Sequence, residues 1–270
     1  MKRNKRKGNS IEECLRELHL PAIRSYYKDA AEEALKDSLS YENYLSTLVQ
    51  RECEERFNNR IERRLRESRL PLNKNFETFV MSRLPLKLRQ QLNYLTDGGF
   101  IDRQENILVF GNPGSGKTHF LSAIGQELIR RGRRVITVTC SLLIQELLLA
   151  KKNLSLPRLL KKYGAYEIMF IDDFGYVEQS REEMEVLFTL LSDRYERGSI
   201  FLTSNLPFSK WEAIFKDPMT CAATIDRLVH HSIILEMNLP SYRMEHAQKA
   251  KDKSGAEKEG KEAGKRKITQ

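Results

Sequence analysis

The chain is short of cysteine, tryptophan and long apolar runs. Its four cysteines, Cys14, Cys53, Cys140 and Cys221, stand far apart and form no CxxC pair. That spacing argues against a zinc site and a disulfide framework, and for reduced, buried thiols in a cytoplasmic protein. The five histidines are equally scattered apart from His230-His231, whose adjacency is poor geometry for two ligands of one metal. No stretch approaches the roughly 18 consecutive apolar residues of a membrane span. The start, Met1-Lys2-Arg3-Asn4-Lys5-Arg6-Lys7, is basic, but no apolar stretch follows it, so it does not read as a secretory signal.

Charge, by contrast, is plentiful. Charged residues make up 31% of the 270, with a net charge of +9. That balance is compatible with a nucleic-acid partner held through its phosphates, and equally with a basic soluble protein. The polar residues crowd both ends, while the middle has apolar runs enough for a core. The stretch from Ala247 onward, with eight basic and four acidic residues among Gly and Ser, reads as a disordered tail.

The middle is organised around Gly111-Asn112-Pro113-Gly114-Ser115-Gly116-Lys117-Thr118, a P-loop of the pattern GxxxxGK[ST]. Ile107-Leu108-Val109-Phe110 before it reads as a buried strand. Phe120, Leu121, Ile124, Leu128 and Ile129 after it recur at helical spacing. Strand, glycine loop and helix start turn backbone N–H groups toward a β-phosphate, with the helix dipole behind them. Lys117 would reach the β- and γ-phosphates of ATP, and the Thr118 hydroxyl would hold Mg2+.

In chain order, residues 1–9 form a basic tail. Ser10 with Glu13 makes a capping box ahead of Ile11, Cys14, Leu15 and Leu18, and Pro21 opens a second helix. Ser40 caps a long helix reaching about Arg69, along which Leu45, Val49, Cys53, Phe57, Ile61 and Leu65 recur every fourth residue. Its other surface is rich in arginine, and two readings of it stay open. It is a solvated face of ion pairs such as Glu52–Arg56, or Arg56, Arg60, Arg63 and Arg64 share a face that contacts a DNA backbone.

The spacing predicts an N-terminal helical module over residues 1–70, a linker and connecting helix over 71–95, a nucleotide core over 96–246 and the tail over 247–270. Within the core, strands are expected at 135–138, 168–173, 200–205 and 233–235, with helices between them. The third of the core's strands ends in Asp172-Asp173, at the carboxyl edge where open α/β sheets bind ligands. Asp172 fits the Walker B acid holding Mg2+, and Asp173 the carboxylate that polarises the attacking water. The strand from Ile200 ends in the polar Asn205, which taken alone reads as a turn residue. An extra strand between the two Walker motifs resembles the layout of the additional-strand ATPases, which implies that Asn205 lies near the γ-phosphate and the attacking water as a sensor.

With these motifs in order, the chain resembles the IstB family, ATP-binding helper subunits of insertion-sequence transposons that lie close to the DnaC helicase loaders among AAA+ ATPases. The resemblance covers nearly the whole chain, from the Leu15-to-Tyr27 region to Ser241-Tyr242-Arg243. The motifs that carry it include Thr203-Ser204-Asn205-Leu206-Pro207-Phe208 and Ile225-Asp226-Arg227-Leu228. The distinguishing runs are Asp172-Asp173-Phe174-Gly175-Tyr176, Ser204-Asn205-Leu206-Pro207 and Asp226-Arg227-Leu228-Val229-His230-His231. The resemblance implies an AAA+ core with a five-stranded parallel sheet, after an all-α N-terminal module and with the helical lid reduced or absent. It also implies an oligomer whose ATP sites lie between subunits, with Arg227 as the arginine finger given to a neighbour. Family members bind duplex DNA with ATP and deliver or stimulate a partner transposase. Many AAA+ proteins carry Glu at the position of Asp173; the shorter acid suits slow turnover. A helicase loader of the DnaC type is the alternative, and the lack of an acceptor pocket argues against a small-molecule kinase.

Overall fold

The computed structural model of the protein describes residues 10–175, 180–207, 210, 211 and 218–245. The basic tail 1–9, Tyr176, Phe208 and the tail 247–270 lie outside them. The chain divides into two compact units, one up to Arg63 and one from Arg64.

The first unit begins with α1 (Ile11–Glu17), whose capping box forms as the sequence requires: Ser10 Oγ accepts the Glu13 N–H and the Glu13 carboxylate accepts the Ser10 N–H at 3.0 Å. Helix α2 (Pro21–Lys36) has proline in its first turn, and α3 (Tyr41–Glu67) follows Ser40, whose hydroxyl accepts the Asn43 N–H. Little apolar surface is buried here, chiefly at Ala22, Ala30 and Leu48. The every-fourth stripe is not the buried face, since Leu45, Val49 and Phe57 are exposed. At 3.6 residues per turn a four-residue step drifts by about 40°, so five such steps carry a stripe to the far side of the helix. The buried side of α3 is instead centred on Leu48 and Glu52. The Glu52 carboxylate accepts the N–H groups of Ala22 and Ile23 at 2.9 and 3.1 Å, capping α2, and pairs with Arg56 at 2.8 Å. Burial pushes its pKa up, but the Arg56 bond and the two backbone N–H groups outweigh that and hold it below the usual range. Of the cysteines, Cys14 and Cys53 are exposed and, among the described residues, only Cys140 meets the expectation of a buried thiol.

The second unit contains α4 (Leu86–Asp97), α5 (Gly99–Asp102), β1 (Asn106–Phe110), α6 (Lys117–Arg130), β2 (Val135–Thr139), α7 (Cys140–Lys152), α8 (Leu156–Gly164), β3 (Ile168–Phe174), α9 (Arg181–Arg194), β4 (Ser199–Ser204), α10 (Pro218–Val229) and β5 (Ser232–Glu236). The strands form one five-stranded sheet in the order β2-β3-β4-β1-β5, every pair parallel. All of β1 and β4 is buried, which is why these segments read as unbroken apolar runs instead of alternating ones. Beyond β4, Trp211 is fully buried against Phe110 and Phe174, and its indole N–H donates to Leu206 O at 3.1 Å, pinning the chain after Asn205. Among the described residues no helix is long and apolar enough to cross a membrane.

Candidate functional site

The P-loop leaves the carboxyl end of β1, and the strand order sets β4 between β1 and β3. Residues that end these three strands therefore meet in one place. The Lys117 ammonium donates to Gly111 O at 2.7 Å, Asn112 O at 2.9 Å and Asn205 Oδ1 at 2.6 Å. The Thr118 hydroxyl donates to Asp172 Oδ1 at 2.9 Å, and Thr203 donates to the same oxygen. Lys117, Thr118, Asp172, Asp173 and Asn205 all line a cleft of about 560 Å³, within the size range of small-molecule sites.

In a regular strand the adjacent Asp172 and Asp173 would face opposite sides of the sheet. Here the pairing of β3 with β4 slips between Ile171 and Phe174, and Asp173 takes a left-handed backbone with φ 56°. Its N–H is held by Thr203 Oγ1 at 3.0 Å. Such a bulge re-aims a side chain, and both carboxylates reach the cleft. Desolvation and the neighbouring Asp172 raise the Asp173 pKa, against the pull of Lys117 and Arg243. Burial lowers that of Lys117, opposed by the two aspartates.

Two glycines of the loop are required by close approach. A Cβ on Gly111 would stand 2.2 Å from Met237 O, and one on Gly114, whose φ is +77°, 2.2 Å from Ser241 Oγ. The Ser115 hydroxyl is buried with no partner among the described residues, which suits a phosphate oxygen in the loop. The Thr118 hydroxyl and Asp172 carboxylate are hard oxygen ligands, the kind Mg2+ takes beside nucleotide phosphates.

The segment expected as a linker builds another wall of the cleft. Gln126 holds it through Pro71 O and Lys74 O at 3.2 and 3.0 Å, and Phe79 meets His119 edge-on with ring centroids 5.0 Å apart. His119 Nε2 lies 2.9 Å from Asn75 O, so Nε2 carries the proton, and burial lowers the ring's pKa. Phe79, Val80 and Leu239 give the cleft an apolar flank beside its charged floor. An aromatic roughly thirty residues before a P-loop carries no signal by spacing alone; only its packing in the folded chain marks it.

Arg227 is elsewhere. It lines a separate cavity of about 260 Å³ with Asn106, Gly198 and Ile200, at the amino ends of β1 and β4. The strands between span roughly 15 Å, so its side chain does not join Lys117 in the same chain. Among the described residues it makes no ion pair with the adjacent Asp226. Its guanidinium donates to Ala223 O at 3.0 Å and lies over the Phe188 ring at 4.7 Å. Neighbouring Arg194 is structural: buried, with a pKa pushed down to about 10 by burial, it donates to the carbonyls of Tyr163, Tyr166, Glu167 and Ser199. On α3, Arg56, Arg60 and Arg63 are exposed, whereas Arg64 is half-buried and donates to Gly132 O.

Residues 13–250 match the family described as IstB-like ATP binding protein. The chain belongs to this family. A relative from Sinorhizobium fredii, named as an ATP-binding protein of an insertion sequence, is 38% identical over 92% of this IstB-like chain and 85% of its own. Another, from Pseudomonas aeruginosa and named for the insertion sequence IS21, is 34% identical over 90% of this chain and 91% of its own. Among solved structures, AMPPCP-bound DnaA from Aquifex aeolicus aligns with a TM-score of 0.51 at 20% identity, covering 68% of this chain and 56% of its own. The DnaC helicase loader aligns at 0.50 and 17% identity, covering 62% of this chain and 98% of its own. At these identities the structural likeness establishes the AAA+ fold of the IstB-like chain and nothing finer.

Proposed function

We propose that this IstB-like protein is an AAA+ ATPase that assembles on duplex DNA with ATP and recruits or stimulates a transposase for insertion-sequence transposition. The observation that carries the ATPase reading is the convergence of Lys117, Thr118, Asp172, Asp173 and Asn205 on one cleft at the carboxyl edge of the sheet. Lys117 binds the β- and γ-phosphates, exchanging its bond to Asn205 for phosphate oxygens. Thr118 and Asp172 would hold Mg2+, which would supply charge neutralisation at the phosphates. Asp173 accepts a proton from the attacking water, and Asn205 orients that water against the γ-phosphate. Phe79 and Val80 flank the base. Arg227 serves the site of a neighbouring subunit, because its own chain's site lies at the other end of the sheet. The net charge of +9 supports a DNA partner, with Arg56, Arg60, Arg63 and Arg64 touching the backbone phosphates, and the relatives named for insertion sequences support the transposition setting.

Fluorescence anisotropy with duplex and single-stranded probes, with and without ATP and at two salt concentrations, tests the DNA half of this reading. ATP-dependent binding to duplex that builds large particles is the expected result. Neutralising the four arginines flattens the salt slope by up to about one unit for each phosphate no longer neutralised. Binding only to single strands would favour a helicase loader instead.

A further inference from the structure

The chain after β5 does not leave the nucleotide cleft. Met237 N–H donates to Phe110 O at 2.7 Å, continuing the ladder one step past the strand. The following segment then crosses the P-loop: Tyr242 N–H donates to Gly114 O at 3.0 Å, and Ser241 occupies the space that a Cβ on Gly114 would need. This strap, Met237 to Glu245, carries Leu239, Tyr242 and Arg243 to the cleft wall. Arg243 lies within electrostatic reach of Lys117 and Asp173, at the phosphate end of the cleft.

One side chain from far earlier in the sequence fastens the strap. Arg83, at the end of the short 3-10 turn Met81–Arg83, donates to Pro240 O at 2.7 Å and to Glu245 Oε1 at 3.1 Å. Its guanidinium also lies over the Tyr242 ring, 5.2 Å from the centroid. The side chain is 20% exposed and itself lines the cleft. A carbonyl, a carboxylate and an aromatic face around one planar group are partners that arginine meets together and lysine does not.

We propose that Arg83 is a positioning residue for nucleotide binding: it holds the strap across the P-loop and so keeps Arg243 at the triphosphate end of the cleft. The strap, fastened from the segment before the core, forms a wall over the nucleotide cleft. The proposal rests on the reading of the cleft as the ATP site. Because Arg243 lines the same cleft as Lys117 and Asp173 and lies within electrostatic reach of both, releasing the strap costs the γ-phosphate more than the rest of the nucleotide, and Arg83 thereby sets the preference for ATP over ADP.

Titration of the full chain with fluorescent ATP and ADP analogues, alongside thermal melts, tests it. Arg83→Met should weaken ATP binding roughly ten- to a hundredfold, the scale of broken charge-assisted hydrogen bonds. ADP binding should weaken less, with the melting curve close to that of the parent. Glu245→Arg alone should also weaken ATP, and the exchange Arg83→Glu with Glu245→Arg should recover part of the loss. If Arg83→Met binds both nucleotides like the parent, or loses both equally, the proposal is overturned while the ATP site stands. If the parent chain binds neither, the ATP reading itself fails. Should Arg83→Met not fold, Arg243→Ala carries the same test, and unchanged selectivity for ATP overturns the proposal.

Discussion

The two ends of the sheet differ in how complete they are. At the carboxyl ends of β1, β3 and β4, Lys117 is already hydrogen-bonded to Asn205, and Thr118 and Thr203 to Asp172, with Asp173 aimed by a bulge into the same cleft. At the amino ends, Arg227 has its own helix carbonyl and the Phe188 ring. A site preorganised for electrostatic stabilisation keeps its dipoles fixed before the substrate arrives. The first end meets that description for binding a nucleotide, and the second holds a cation that pairs with no carboxylate among the described residues. In our account nucleotide binding is a property of one chain, while full-rate hydrolysis is a property of two.

The largest effect that could break this contrast is at Arg227. Arg227→Ala should lower kcat by about 10³- to 10⁵-fold, the range for arginine fingers, while equilibrium binding of an ATP analogue by the monomer is unchanged. Full-rate hydrolysis by isolated monomers would collapse the distinction between the two ends. A smaller effect belongs to the carboxyl end. Asp173→Asn should cost about 10²- to 10⁴-fold in kcat, typical of removing a general base, and leave ATP bound. The sign with pH follows from the raised pKa of Asp173. The ionised form accepts the proton, so activity falls as pH drops through a value above the ordinary aspartate range. That acid limb should be missing from the residual rate of Asp173→Asn. A limb at the ordinary aspartate value would mean that the Asp172 neighbour and desolvation do not act on it.

The same contrast explains what could be read from the residues alone. The P-loop, the two aspartates, Asn205 and the five strands are legible because each is a local pattern, a glycine spacing or an apolar run with a polar end. Phe79, Arg83 and Tyr242 are not, because their roles depend on partners up to some 160 positions away in sequence, as between Arg83 and Glu245. The bulge that turns Asp173 inward is a backbone event without a glycine to announce it. On α3 the eye follows every fourth residue, and helix geometry carries that stripe around to solvent. Glu52 shows the reverse: an acid that reads as surface charge is buried because it caps α2.

The most direct measurement of the central claim is a mixing experiment with Asp173→Asn and Arg227→Ala, each inactive in hydrolysis and each able to bind ATP. In a shared site, one subunit contributes the intact Asp173 and its neighbour the intact Arg227. Mixed in equal amounts with random assembly, about a quarter of the head-to-tail interfaces are restored, and ATPase activity should rise toward that fraction of the parent rate. A mixture no more active than the two variants measured apart would contradict the account.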